Sequence, residues 1–172
     1  EGLAPTALLK SKLDAIFAIL QKKDLEQQEK NNQVVEIITP LFDFELMTKL
    51  SLGRKHWSDL LPEKKERLAQ LFITRLRASY IKKLTDYTDE EVFYEPPVQN
   101  KKKIFVPTYL TSKGNKISML YKFYQSKNGW RIYDVEIQDV SIVKSYRSQF
   151  SRILHKGSVD DLILKMEASA HP

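Results

Sequence analysis

The sequence predicts an α+β fold in which a twisted antiparallel sheet of about four strands packs against several helices. In the first half, apolar residues recur at the 3.6-residue period of an amphipathic helix; after Asp89 the period shifts to two, that of a strand. Ser112-Lys113-Gly114-Asn115 and Ser126-Lys127-Asn128-Gly129 are short turn sequences between apolar runs, which implies a meander. Helices first and strands later place the helices on one face of the sheet. The 172 residues are expected to form one domain, with a helical first half (1–88), a meander (91–137) and C-terminal helices (139–168). A chain of this length buries roughly 70% of its unfolded surface.

The first helix is expected from Ala4 to Leu20, with Leu8, Leu9, Leu13, Ile16, Phe17 and Leu20 on its apolar face. A second starts at Asp24 as cap and runs toward Pro40; its polar middle, Glu26 to Gln33, faces solvent, and Val34, Val35, Ile37 and Ile38 follow. Phe42 to Leu50 reads as a short helix ending at Gly53, and Arg54-Lys55-His56-Trp57 as another. The longest helix runs from about Pro62 to Tyr87, with proline at the first position, where a missing N–H costs nothing. Its apolar face is Leu68, Leu71, Phe72, Leu76, Tyr80, Leu84 and Tyr87, widened by Ile73 and Ile81. The strands are Val92–Tyr94, Ile104–Thr111, Ile117–Tyr124 and Trp130–Ile137, and Pro107 argues for an edge or a bulge in the second. Asn128-Gly129 is a strong hairpin signal, because both central positions of such a turn need positive φ. Two helices close the chain, from about Asp139 or Val140 to Leu154 and from Ser158 to about Glu167.

The composition, 42% hydrophobic and 29% charged, belongs to globular proteins and not to disordered tails. No apolar run approaches the ~20 residues that span a bilayer. Glu1-Gly2-Leu3-Ala4-Pro5 is not a signal peptide, so an exported chain would be met here in its mature form. Without cysteine there are no disulfides, thiolate metal sites or cysteine nucleophiles. The net charge of +6 is dispersed, with Lys101-Lys102-Lys103 the only tight block, so no nucleic-acid partner is expected. That charge would instead aid encounters with anionic head groups or acidic partner surfaces.

No nucleophile elbow, phosphate loop or HExxH pattern occurs, and His56, His155 and His171 are widely spaced, so no catalytic residue, metal site or cofactor is assigned. Large apolar surface is in excess instead. Ile117, Met119, Tyr121 and Phe123 form one apolar strand face opposite the long helix. The candidate lining of an apolar cavity is therefore Leu68, Leu71, Phe72, Leu76 and Tyr80 facing Ile117, Met119, Tyr121, Phe123 and Ile132. Two other classes stay open on residues alone. One is a cone-shaped isomerase or dehydratase using Tyr133 and Asp134, and the other is a structural adaptor with no ligand-sized cavity.

Asn128-Gly129-Trp130-Arg131-Ile132-Tyr133-Asp134-Val135, then Val140-Ser141-Ile142-Val143, then Tyr146-Arg147-Ser148-Gln149-Phe150 resembles the signature of the toluene-tolerance or MlaC family. Leu52-Gly53-Arg54, Trp57 and Leu61-Pro62-Glu63 extend the resemblance, as does Lys156-Gly157-Ser158 with Leu162-Ile163. It runs from about Leu50 to Leu164. Gln138-Asp139 stands where the family usually has Glu-Gly, with Asp139 available as a helix cap; Leu61 replaces a usual Thr cap, and Ser145 an Asn. The resemblance implies a monomeric periplasmic carrier that is not an enzyme and holds a phospholipid by its acyl tails. Its implied partners are the lipid-binding subunit of an inner-membrane ABC transporter and an outer-membrane lipoprotein complex, and its implied role is to maintain outer-membrane lipid asymmetry. Trp130, Asp134 and Arg147 are assigned structural roles, with Asp134 held either by backbone donors or by an arginine such as Arg147, whose fork would pin helix to sheet. With no arginine cluster to clamp phosphate, head-group identity is expected to matter little.

Overall fold

A computed structural model describes residues 4–81, 91–112 and 114–169. Among these residues, five helices come first: α1 (Pro5–Leu20), α2 (Gln27–Ile38), α3 (Phe44–Leu52), α4 (Arg54–Ser58) and α5 (Pro62–Leu76). A π-helical turn, Arg77–Ile81, extends α5. The strands β1 (Glu91–Tyr94), β2 (Val98–Asn100), β3 (Lys103–Ser112), β4 (Asn115–Ser126), β5 (Gly129–Ile137) and β6 (Val140–Ser141) follow, and α6 (Ile142–Lys156) and α7 (Val159–Ser169) close the chain. The expected continuation of α5 through Leu84 to Tyr87 lies outside the described residues.

The sheet is antiparallel in the order β1-β3-β4-β5-β6, with β2 also paired to β3, so among the described residues six strands stand where about four were expected. The two additions are only three and two residues long, too short to show a period. Pro107 is neither at an edge nor in a bulge, for it sits inside β3, paired with Leu120. Its carbonyl accepts from the Glu95 N–H at 2.9 Å. Its missing N–H therefore faces the same side, at the break between β1 and β2 where no ladder bond is lost.

Local chemistry sets the element ends. Asp43 caps α3 by accepting from the Leu46 N–H at 3.0 Å, and Gly53, at φ 97°, stops it. Asp24 does not cap α2; the helix begins three residues later, with Glu26 at its cap position and no side-chain bond there. The polar run is solvated as expected and stitched by i,i+4 amide bonds, Gln27 to Asn31 and Gln33 to Glu29, both at 3.0 Å. Ser126 pairs with Gly129, so the central residues of that hairpin are Lys127 and Asn128. Gly129 alone takes a positive φ, 102°, after the turn, as in a bulged hairpin and unlike the expected Asn-Gly centre. At the next turn Gln138 and Asp139 take φ values of 49° and 67°, where a family glycine would be unstrained. Asp139 is thus occupied as a turn residue, and Ser141 caps α6 by accepting from the Lys144 N–H at 3.1 Å.

The main core lies between the sheet's inner face and α3, α5, α6 and α7. Leu68, Phe72, Phe123, Ile132, Phe150 and Leu162 are all fully buried in it. Phe72 meets Tyr146 edge-on at 5.1 Å and Phe150 at 6.5 Å. A second, small core of Ile16, Leu20, Val34 and Val35 joins α1 to α2.

Asp134 is structural, but not through Arg147. One of its carboxylate oxygens accepts from the Val135 and Val143 N–H groups at 2.9 and 3.1 Å, and the other from the Ser141 hydroxyl at 2.5 Å. Lys122, directly across the ladder, supplies the cation at 3.4 Å. The N-terminus of α6 thus fills the carboxylate, a placement that its dipole also favours. Arg147 sits roughly 6 Å further along the helix axis than Val143. It is exposed and lies over Gly53, 4.0 Å from where a Cβ there would stand. Trp130 is half-buried against the main core, opposite Gln125.

Asp134→Ala is expected to cost ~3–5 kcal/mol in urea unfolding, because it strands the buried helix donors and leaves half-buried Lys122 only the Glu136 carboxylate at 3.7 Å. Arg147→Gln should stay within ~0.5 kcal/mol of the parent. Phe72→Ala should cost ~3–5 kcal/mol by leaving a cavity between α5 and α6.

Candidate functional site

The two cores do not merge. Between them lies a cavity of about 210 Å³ that opens to solvent. Its walls follow from element periods. Leu9, Lys12, Leu13 and Ile16 of α1 face it at the i, i+3, i+4, i+7 spacing of one helix stripe, and Ile73, Leu76 and Arg77 of α5 repeat that spacing. Val35 and Ile38 of α2 close one side, and Leu41, Phe42, Phe44 and Met47 another. The Phe42 and Phe44 rings stack at 5.6 Å.

The sheet supplies the floor as cross-strand pairs. Leu110 lies opposite Ile117, Met119 opposite Ile137, and Tyr121 opposite Val135, every second residue of each strand facing in. Ile142, the first residue of α6, completes the lining. The one floor hydroxyl, on Tyr121, meets only the Met119 sulfur at 3.6 Å. Burial pushes the Tyr121 phenol far above its ordinary range, with Tyr94 adding to the effect, so it stays neutral. Among the described residues the buried Tyr94 hydroxyl has no hydrogen-bond partner. Burial and the charge of Asp14 push its pKa up to about 12. Such a space cannot stabilise an ion in its interior, and it favours an apolar chain.

Of the residues named from sequence, Leu76, Ile117, Met119 and Tyr121 stand on the cavity wall. Leu68, Leu71, Phe72, Phe123 and Ile132 do not; they are buried in the main core behind it. The physical reason is that the stripe of α5 serves two neighbours. The helix packs on α3 and α7, and Phe72 meets Tyr146 and Phe150 of α6, whereas Ile73 and Leu76 look into the cavity. The side chain of Tyr80 lies outside the described residues, as does His171. The wall formed by α1 was missed, since Leu9, Leu13 and Ile16 read as ordinary core. The available signal was Lys12, a charge on an otherwise apolar stripe. Ile73 and Ile137 were legible as buried but not as lining.

Tyr133 and Asp134 both lie off the cavity. Tyr133 is held under Lys103 at 4.7 Å and edge-on to Tyr124 at 6.1 Å, so this acid and phenol pair does not face the cavity. Among the described residues no cluster of His, Cys, Asp and Glu could hold a metal ion, and no helix is long and apolar enough to cross a membrane.

This geometry has counterparts among known proteins. A solved structure of a phospholipid-binding protein from Ralstonia solanacearum, in complex with a phospholipid, superposes with a TM-score of 0.88. It is 26% identical, and the match covers 95% of each chain. The intermembrane phospholipid transport system binding protein MlaC of Haemophilus influenzae is 21% identical over 97% of this chain and 82% of its own. The profile of the MlaC protein family matches residues 10–168, and the chain therefore belongs to the MlaC family.

Proposed function

We propose that the protein is a non-catalytic phospholipid carrier that buries acyl tails in the cavity between α1–α2 and the sheet. The observation that carries this reading is the cavity itself, floored by apolar cross-strand pairs and walled by apolar helix stripes. The phospholipid held by its Ralstonia solanacearum relative supports the same ligand class. In this reading the protein works in the periplasm. It moves lipid between an outer-membrane lipoprotein complex and the lipid-binding subunit of an inner-membrane ABC transporter, and so maintains outer-membrane asymmetry.

Physical chemistry explains why a carrier is needed. At ~0.8 kcal/mol per methylene, exposing two tails of about thirty methylenes costs on the order of 20 kcal/mol. A cavity that buries them offsets most of that cost without ATP, and a partner that competes for the tails or opens the cleft must drive release. The space of about 210 Å³ is small for two tails, since a dry cavity of about 150 Å³ takes one benzene. Loading therefore requires the α1–α2 pair to part from the sheet. The pair has a small core of its own that would hold it together, while Leu9 of α1, buried in the main core, is the side chain that parting would withdraw.

Native mass spectrometry with lipid extraction of the purified protein tests this. The expected result is about one phospholipid per chain, and lipid-free protein would contradict the reading. Leu76→Trp or Met119→Trp keeps the wall apolar while removing volume, and each should lower the lipid-bound fraction severalfold with the fold intact. A folded, filled variant carrying its full lipid complement would show that this lining is the wrong one.

A further inference from the structure

We propose that Lys12 and Arg77 form a phosphate-binding mouth, which selects lipids bearing a phosphodiester over neutral lipids with the same tails. This rests on the carrier reading above and deepens it. Among the described residues, Lys12 and Arg77 are the only charged ones that line the cavity. Each continues an apolar stripe: Lys12 stands within Leu9, Leu13 and Ile16, and Arg77 follows Ile73 and Leu76. Lys12 is half-buried, whereas Arg77 is exposed and begins the π-helical turn, which marks the rim.

Neither cation has an ion-pair or hydrogen-bond partner among the described residues. The carboxylates that are paired there serve Lys64, Arg67, Lys122 and Arg131 instead. A lysine whose stem crosses an apolar wall brings its ammonium to the wet rim, and an anion at that rim improves its environment. A tail-down phospholipid places its phosphodiester at the same level. Arg77 would meet the phosphate oxygens with its planar fork, and Lys12 would meet them as a point charge. The two residues lie far apart in the chain and on different elements, so sequence alone shows no clamp; one that grips the phosphate, which all phospholipids share, is compatible with little dependence on the rest of the head group.

The test offers delipidated protein dioleoylphosphatidylglycerol or dioleoylglycerol, which share their tails, and measures retained lipid by mass spectrometry after gel filtration. Wild-type protein is expected to retain the phosphodiester lipid about tenfold better. The Lys12→Gln, Arg77→Gln double variant should hold the two alike, and Lys12→Arg should restore most of the preference to a chain that keeps Arg77. Thermal unfolding checks that each variant is folded. A wild type without preference, or a folded double variant that keeps it, overturns the mouth while leaving the carrier reading intact. Retention of neither lipid by wild type overturns both. Excess inorganic phosphate should leave retained phosphatidylglycerol unchanged; displacement of that lipid would assign the two cations to free phosphate and overturn the head-group role.

Discussion

The structure depends on how the helices are fastened to β5. The chain between α2 and α3 runs beside this strand, with the Ile132 N–H donating to the Leu41 carbonyl at 2.8 Å and the Asp43 N–H to the Ile132 carbonyl at 2.9 Å. Asp43 then serves three donors at once. It caps α3, accepts from the Tyr124 hydroxyl and faces Arg131 at 3.5 Å. Arg131 also donates to the Phe42 carbonyl at 2.6 Å. Further along the same strand, Asp134 holds the start of α6. Two carboxylates on or against β5 thus fix α3 and α6 to one side of the sheet.

That fastening decides where the cavity falls. With α3 and α6 tied to β5 and α5 packed against α6, the inner face of β3 and β4 extends beyond the main helix layer. Leu110, Ile117 and Met119 lie on this overhang, covered by the α1–α2 pair. The pair has its own small core, and Leu13 and Ile38 pack against both clusters. The cavity is the seam between the main core and the α1–α2 pair, which Leu9 of α1 ties to that core. An apolar seam of this kind is a poor place for catalysis and a suitable one for a chain that water rejects.

The α+β class and the helix-then-meander order were legible because the period of apolar residues changes from 3.6 to two after Asp89. The alternation of Ile117, Met119 and Tyr121 also named half of the floor. Tertiary partition was not legible. Periodicity marks a face as buried, but it does not say whether that face meets another helix or an empty space, so Leu68 and Phe72 looked the same as Leu76. Arg147 failed for a related reason: sequence shows that an arginine follows a buried aspartate, but not that backbone donors and a cross-strand lysine have filled the carboxylate. Lys12 and Arg77 were visible as basic residues, and only the fold puts both on the lining of one cavity.

The central claim is that acyl chains occupy the seam and not some other apolar surface. Isotope-filtered NMR of the lipid-loaded protein, reading contacts between lipid methylene protons and side-chain methyls, tests it most directly. The account predicts contacts to Ile73, Ile117 and Ile137 on the seam and none to Leu68, Ile132 or Leu162 in the core behind. Bound lipid that leaves Ile117 and Ile137 untouched, or that reaches the core residues instead, would contradict it.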